Sequence, residues 1–207
     1  TQLGHAKGAD NFETIVDACL ALGIKYLTVY VFSTENWKRS EEEVDYLMKL
    51  LEKHIREFDK RIRNREVCFR LVGDIQGLNS ELQKGIRELE EKTKNKTGII
   101  VNMAINYGGR AEMTIATRRI AEAVKNGDLK PEDITEELMG QYLQTLDSPD
   151  PDLIIRTGGE ERLSGFLLWQ SAYSELYFTD VLWPDFDEKE LNKAVEEYQK
   201  RKRNFGK

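Results

Sequence analysis

Apolar strand patterns alternate with amphipathic helical patterns along this chain, and the alternation constrains its fold more than any other feature. Runs rich in β-branched and aromatic residues, typical of buried strands, occupy 25–33, 67–73, 98–105, 153–157 and 175–181. Helical patterns occupy 11–23, 40–63, 80–94, 110–125 and 132–145, and a last helix capped by Asp187 runs to about 203. The alternation predicts a single α/β domain over 1–207, with a mostly parallel central sheet flanked by helices.

The overall charge argues against a general nucleic-acid binder. The 207 residues carry a formal net charge of −6, whereas such binders usually show a basic excess. A local basic pocket for a small anion remains compatible with that charge. The two cysteines, Cys19 and Cys68, lie in apolar segments, which predicts buried free thiols. No run reaches about 18 apolar residues, so we expect no transmembrane helix.

Three polar stretches directly follow predicted strands. They read "FSTENWKR" (32–39), "INYGGR" (105–110) and "RTGGEERLS" (156–164). Ligands of open parallel sheets bind beyond the carboxyl ends of the strands. The sequence therefore predicts a ligand site built from these stretches.

The stretch 156–164 has the composition of a phosphate site. Arginines present planar donor forks that match phosphate oxygens, and glycines allow close approach of the backbone and expose N–H groups. Arg156, Arg162 and Ser164 together would hold a phosphate or diphosphate. An ordinary turn, with the arginines paired to Glu160 and Glu161, explains the same residues, and the pattern alone leaves both interpretations open.

The stretch 32–39 also has two interpretations. Ser33, Asn36 and Arg39 would line a ligand site with Trp37 as an apolar wall, or the segment is a loop that leads into a helix. The spacing Ser40-x-x-Glu43 is that of a capping box, which by itself accounts for both residues.

Other candidates are single residues. His5 lies just before a predicted helix and would donate to a phosphate or serve a structural role. Glu175 begins a predicted strand and would be a metal ligand or an ion-pair partner. The stretch 105–110 is most simply a strand-to-helix turn, in which Arg110 has no firm assignment.

Several motifs together resemble the cis-prenyltransferase family, and in particular the bacterial undecaprenyl diphosphate synthases. They are "GHxxG", "VYVFSTENWKR", "NYGGR", "DPDLIIRTGGEERLSGFLLWQSAYSELYFTDVLWPDFD" and the terminal "RxRNFG". The resemblance runs over essentially the whole chain, in order and with the family's spacing. It implies a homodimer with a parallel sheet, flanking helices and a hydrophobic tunnel for the growing chain.

The resemblance also implies an activity. Such enzymes add isopentenyl diphosphate units to an allylic diphosphate, usually farnesyl diphosphate, in a Mg²⁺-dependent reaction that forms cis double bonds. The expected product is a long polyprenyl diphosphate such as undecaprenyl diphosphate, the lipid-carrier precursor for cell-wall synthesis. A cytoplasmic protein, peripheral at the membrane that receives its product, is the corresponding expectation.

Site residues follow from the resemblance position by position. Arg156, Arg162 and Ser164, with Leu163, resemble the residues that hold isopentenyl diphosphate, and Glu175 resembles the metal ligand. Asn36 resembles the residue assigned to proton abstraction, and His5 the histidine near the allylic diphosphate. The residues that resemble the lining of the same site are Ser33, Thr34, Glu35, Trp37 and Arg39.

The chain departs from the family at one loop. The family's Met-Asp-Gly-Asn-Gly-Arg-Trp loop, which supplies an aspartate for Mg²⁺, does not occur in the sequence. We expect a segment that carries it to precede Thr1, and we expect no turnover without it. A non-catalytic partner subunit is the alternative, although the retention of Asn36, Arg156 and Glu175 together favours an enzyme. A Rossmann-like nucleotide binder would need a G-x-G-x-x-G after a strand, and the chain has none.

Overall fold

The computed structural model describes residues 2–61 and 64–202, with side chains from residue 7 onward except those of 59 and 61. The helices of the described chain are α1 (Gln2–Ala21), α2 (Glu41–Arg61), α3 (Ser80–Thr93), α4 (Gly109–Asn126), α5 (Glu136–Gln141) and α6 (Glu188–Lys200). The strands are β1 (Tyr26–Ser33), β2 (Val67–Val72), β3 (Ile99–Tyr107), β4 (Leu153–Arg156) and β5 (Glu175–Phe178). The predicted order of elements is therefore confirmed.

Two helices differ from the prediction in length. Helix α1 starts at Gln2, so His5 lies inside this helix rather than before it, and its side chain falls outside the described residues. Helix α5 covers only Glu136–Gln141 of the predicted 132–145. It begins where the Thr135 side chain accepts a hydrogen bond from the Leu138 N–H, and Gly140, a poor helix former, lies near its end.

All strand pairs in the described chain are parallel, as predicted, but the strands form two sheets rather than one. The first has the order β1-β3-β2 and the second pairs β4 with β5. Strand β3 lies between two neighbours and is almost entirely buried. Strand β1 was predicted to be buried, but it has a partner in the sheet on one side only, and its Tyr26 and Val31 are each 40% exposed.

The main core lies between the first sheet and helices α1, α2 and α3. Its centre contains Phe12, Phe58 and Phe69, whose ring centroids are 4.7 to 6.5 Å apart, within the range of favourable aromatic contacts. Cys19 and Cys68 are buried free thiols, which confirms that prediction. Burial raises the pKa of Cys19 to about 12, so its thiol stays protonated and unreactive.

Candidate active site

A short 3-10 helix, Thr34–Lys38, follows β1 and carries Asn36. The Asn36 Oδ1 atom accepts a hydrogen bond from the Ser33 N–H at 2.9 Å, so the side chain helps to form the turn on which it sits. Asn36 and Thr34 are half-buried, whereas Glu35 is exposed. Ser33 pairs in register with Tyr107 of β3, which brings this 3-10 helix to the carboxyl end of the first sheet.

Trp37 is anchored rather than free. Its indole Nε1 donates to Asn106 Oδ1 at 2.7 Å, and its ring meets the Phe32 ring edge to face at 5.1 Å. The side chain remains 40% exposed, so one part of it is available as the apolar wall that the sequence suggested.

Arg39 and Glu43 form an ion pair on the surface. The guanidinium Nη1 lies 2.5 Å from Glu43 Oε1, and both side chains are 41% exposed. The Ser40 hydroxyl accepts from the Glu43 N–H at 3.3 Å, which is one half of the predicted capping box. Since exposed ion pairs contribute little to stability, Arg39 can exchange Glu43 for another anion at small cost.

The loop from Arg156 to Ser164 leaves the end of β4 with an unusual backbone. Gly158, Gly159 and Ser164 have positive φ angles of 92°, 79° and 48°. The Gly158 and Gly159 N–H groups donate to the carbonyls of Val181 and Thr179, each at 2.9 Å. The expectation that these glycines expose N–H groups to a ligand was therefore wrong, because the groups tie the loop to the segment that follows β5.

Glu160 bridges the two arginines of this loop. The Arg156 Nη2 contacts Glu160 Oε2, and the Arg162 Nη2 lies 2.7 Å from Glu160 Oε1. The pairing of both arginines with Glu160 that the sequence suggested is therefore confirmed, whereas Glu161 is not part of it. Each guanidinium has five N–H donors, and Glu160 contacts only the Nη2 atom of each arginine. Both arginines therefore retain donors for an anion.

Leu163 and Ser164 complete this loop. The Leu163 carbonyl accepts from the Phe166 N–H at 2.9 Å, and its side chain is half-buried. Ser164, two residues after Arg162, has the left-handed backbone conformation and is exposed at the surface.

Tyr30 lies between the two stretches, and sequence reasoning missed it. Its ring stacks on Phe166 at 4.9 Å, and its hydroxyl donates to the Tyr107 carbonyl at 3.1 Å. Burial raises the pKa of Tyr30 to about 12; the Glu35 charge also raises it, while the Arg156 charge opposes the rise. Tyr30 lies in the strand that leads into the Asn36 helix. Its ring and hydroxyl adjoin Phe166 and Gly165, which directly follow the arginine loop, so the two candidate stretches meet around it. The position of Tyr30 within the motif "VYVFSTENWKR" could have indicated that it belongs to the site.

Glu175 lies at the other end of the second sheet. It begins β5 opposite Leu153, whereas Arg156 pairs with Phe178 three residues further along. That separation is about 10 Å along the strands. The Glu175 carboxylate is ion-paired with Arg201 at 2.8 Å.

Over 7–202, apart from the undescribed side chains, no three His, Cys, Asp or Glu side chains are close enough together to hold a metal ion. Magnesium sites usually combine one or two carboxylates with phosphate oxygens of a substrate.

Two cavities adjoin the first sheet. One, of about 90 Å³, adjoins the 3-10 helix and is lined by polar residues such as Thr34 and Asn106 together with the apolar surface of Tyr107 and Ile115. The other, of about 260 Å³, is lined mainly by polar residues, among them Asn102. The hydrophobic tunnel implied by the resemblance stays a prediction.

Comparison with known proteins identifies the family. A family model described as putative undecaprenyl diphosphate synthase matches residues 1–206. The chain belongs to the cis-prenyltransferase family. It is 51% identical over 203 residues to the isoprenyl transferase of Fusobacterium nucleatum, covering 98% of this chain and 85% of that protein. The predictions of this family and of an isoprenyl transferase are confirmed.

Two further relatives show how widely the cis-prenyltransferase likeness extends. A tritrans,polycis-undecaprenyl-diphosphate synthase (geranylgeranyl-diphosphate specific) of Methanocaldococcus jannaschii is 49% identical over 208 residues, covering 99% of this chain and 74% of that protein. The crystal structure of lavandulyl diphosphate synthase from Lavandula x intermedia, in complex with dimethylallyl diphosphate, has a TM-score of 0.96 at 38% identity, covering 100% of this chain and 89% of that one. The parallel α/β architecture is thus shared at high similarity.

The helices of the described chain do not have membrane-spanning character. Within 2–61 and 64–202, none is both long enough and apolar enough to cross a bilayer.

Proposed function

We propose that this cis-prenyltransferase condenses isopentenyl diphosphate with an allylic diphosphate, farnesyl diphosphate in the first instance, to give a long polyprenyl diphosphate such as undecaprenyl diphosphate. The observation that carries the proposal is the pair of guanidinium groups, Arg156 and Arg162, on the loop after β4. The segment after β3 links that loop to the Asn36 helix, since the Gly109 N–H donates to the Gly165 carbonyl and Gly108 packs against Thr34. Two diphosphate substrates need cationic donors and mutual alignment, and this pair supplies the donors for one of them.

The diphosphate of isopentenyl diphosphate would displace Glu160 from the two arginines. The guanidinium forks suit phosphate oxygens, and a diphosphate carries more negative charge than the carboxylate it replaces. Glu160 is 42% exposed and its displaced carboxylate would turn into water. Arg39, which exchanges an exposed partner in the same way, is a second cationic group for the substrates.

Asn36 is proposed to orient the group that accepts the proton lost after condensation. An amide is not a base at neutral pH, and the Asn36 Oδ1 already accepts from the Ser33 N–H. Its remaining NH₂ group can donate to a water or to a phosphate oxygen. That oxygen would take the proton, in keeping with general base catalysis by a positioned group.

Magnesium fits this chain only in part. When bound, Mg²⁺ would stabilise the negative charge on the departing diphosphate. Glu175 supplies one carboxylate, but that carboxylate is paired with Arg201, and Arg156 lies well along the strands from it. Among the described residues, Glu175 is the one that would hold the ion.

Glu175→Gln tests that assignment. Loss of the ligand charge should raise the Mg²⁺ concentration needed for half-maximal rate by about tenfold or more, since even outer groups of metal sites matter that much. Arg201→Gln is the matched control, because it breaks the same ion pair and leaves the carboxylate in place. Equal effects of both variants on the Mg²⁺ dependence would mean that Glu175 only holds Arg201.

A homodimer at the membrane surface is the proposed working form. Exposed apolar side chains of β5 and its flanks support self-association: Tyr173 is 76%, Leu176 36% and Leu182 59% exposed. The lipid product would pass to the membrane.

The function is tested by incorporation of labelled isopentenyl diphosphate into extractable lipid. The purified protein, expressed from its natural start, is expected to form product with farnesyl diphosphate and Mg²⁺ and without a second protein. The same assay without the protein serves as the control for background. Activity that requires another chain would support the partner-subunit alternative instead.

A further inference from the structure

The turn that follows β3 connects both halves of the candidate site. Its Gly109 N–H donates to the Gly165 carbonyl at 2.7 Å, just beyond the arginine loop. Its Gly108 lies so close to the 3-10 helix that a Cβ there would be 2.4 Å from Thr34 Oγ1. From the sequence this stretch was only a strand-to-helix turn.

Asn106 lies in β3, two residues before Gly108, and both polar atoms of its side chain are hydrogen-bonded. Its Oδ1 accepts from the Trp37 indole at 2.7 Å, and its Nδ2 donates to the Asp74 carbonyl at 2.9 Å. Its own carbonyl accepts from the Asp74 N–H at 3.1 Å. The residue is 7% exposed, and a Cβ at Gly77 would lie 2.5 Å from its Nδ2, so the amide has little freedom to move.

The hydrogen bond from the Trp37 indole to Asn106 restrains the position of Asn36, in addition to the bond that the Asn36 side chain makes with the Ser33 N–H. Trp37 and Asn36 are neighbours on one short 3-10 helix, which cannot shift at one residue without shifting at the other. Trp37 is 40% exposed, and its ring contact with Phe32 is edge to face, so the hydrogen bond to Asn106 is the main directional restraint on its side chain.

We propose that Asn106 is a positioning residue of the condensation reaction, which holds the 3-10 helix so that Asn36 faces the reacting groups. The inference rests on the proposed function. Asn106 acts through Trp37 and does not itself touch the substrate.

The backbone of Asn106 allows its two roles to be separated. Its φ angle of 50° is in the left-handed region, which asparagine, aspartate and glycine tolerate best. Asn106→Gly keeps that backbone and removes both side-chain bonds. Asn106→Asp keeps an oxygen acceptor for the indole and loses the bond to the Asp74 carbonyl.

The experiment measures kcat, the KM for isopentenyl diphosphate and the indole N–H resonance of Trp37 in the full-length protein. Asn106→Gly should shift the indole resonance and lower kcat by about tenfold or more, because small misplacement of a catalytic group is costly. The KM should change by less than about threefold, since the arginines lie on another loop. Asn106→Asp should preserve the resonance and keep kcat within about fivefold.

Two controls exclude a general loss of structure. Trp37→Phe assigns the resonance among the three tryptophans, and combining it with Asn106→Gly should cost no more activity than either change alone. Asn102→Ala removes a buried asparagine of the same strand, which bonds to Thr28 and Ser148, and should leave kcat unchanged.

The inference is overturned if Asn106→Gly shifts the indole resonance without lowering kcat, or leaves the resonance where it was. It is also overturned if Asn102→Ala lowers kcat as much as Asn106→Gly does. A wild-type protein without prenyl transfer would defeat the proposed function, and the resonance would still report separately whether Asn106 holds Trp37.

Discussion

Arg156→Ala is expected to weaken the binding of isopentenyl diphosphate by about 10- to 100-fold and that of the allylic diphosphate much less. Loss of a charge-assisted hydrogen-bonding partner costs roughly 1.5–3 kcal/mol, and each 1.4 kcal/mol is about tenfold in affinity. Arg156 is the more buried of the two loop arginines, with 27% of its side chain exposed against 64% for Arg162, so water screens its contacts less.

Glu160 complicates the interpretation of that variant and also offers its control. Without Arg156, the Glu160 carboxylate would still neutralise Arg162. Glu160→Gln keeps the size of the side chain and removes its charge. Combined with Arg156→Ala it should recover part of the lost affinity, because Arg162 then faces the diphosphate without a competing carboxylate.

Initial rates with each substrate varied in turn provide the measurement. Arg156→Lys keeps the charge without the planar fork and should fall between wild type and alanine. Equal KM increases for both substrates would contradict the assignment of Arg156 to isopentenyl diphosphate. A thermal unfolding curve like that of the wild type would confirm that Arg156→Ala leaves the fold intact.

The periodicity of the sequence predicted the elements because burial imposes it. Strand β3 is a mainly apolar run interrupted by Asn102 and Asn106, and it is buried on both sides. Helix α2 carries its apolar residues on one stripe, and that stripe supplies Met48, Ile55 and Phe58 to the core. The rule that ligands bind beyond strand ends then selected the stretches that meet around Tyr30.

Tertiary contacts determined what periodicity could not. The division of the strands into two sheets could not be predicted, because the sequence of a strand does not specify which distant strand it pairs with. Glu160 lies between its arginines through loop geometry, and the glycine N–H groups bond to backbone carbonyls beyond β5. Glu175 was assigned by position in a motif, which carries no information about the end of the sheet at which a side chain lies.

Glu112→Leu is expected to lower the free energy of unfolding by about 3–5 kcal/mol, because each buried donor that loses its acceptor costs about 1–3 kcal/mol. Glu112 is 3% exposed in α4. Its carboxylate accepts from the Tyr107 hydroxyl at 2.6 Å, the Gln144 N–H at 2.8 Å and the Gln170 amide at 3.1 Å. Leucine has a similar volume and would leave these donors without an acceptor.

Tyr107 remains a donor throughout the working pH range. Burial, and then the bond to Glu112, hold the pKa of its hydroxyl well above the usual range. Its backbone carbonyl accepts from the Tyr30 hydroxyl between the two candidate stretches. A substitution at Glu112 should therefore affect the candidate site through the end of β3, which contains Asn106 and Tyr107.

Glu112→Gln is the control that separates lost hydrogen bonds from lost charge. It keeps the shape and one oxygen acceptor, and its amide can donate to the Tyr107 oxygen, so its cost should be only about 1 kcal/mol. Urea unfolding followed by circular dichroism gives both values. Equal stabilities of Glu112→Leu and Glu112→Gln would contradict the prediction. They would mean that water hydrogen-bonds the buried donors in Glu112→Leu, and that the network contributes to the specificity of packing rather than to stability.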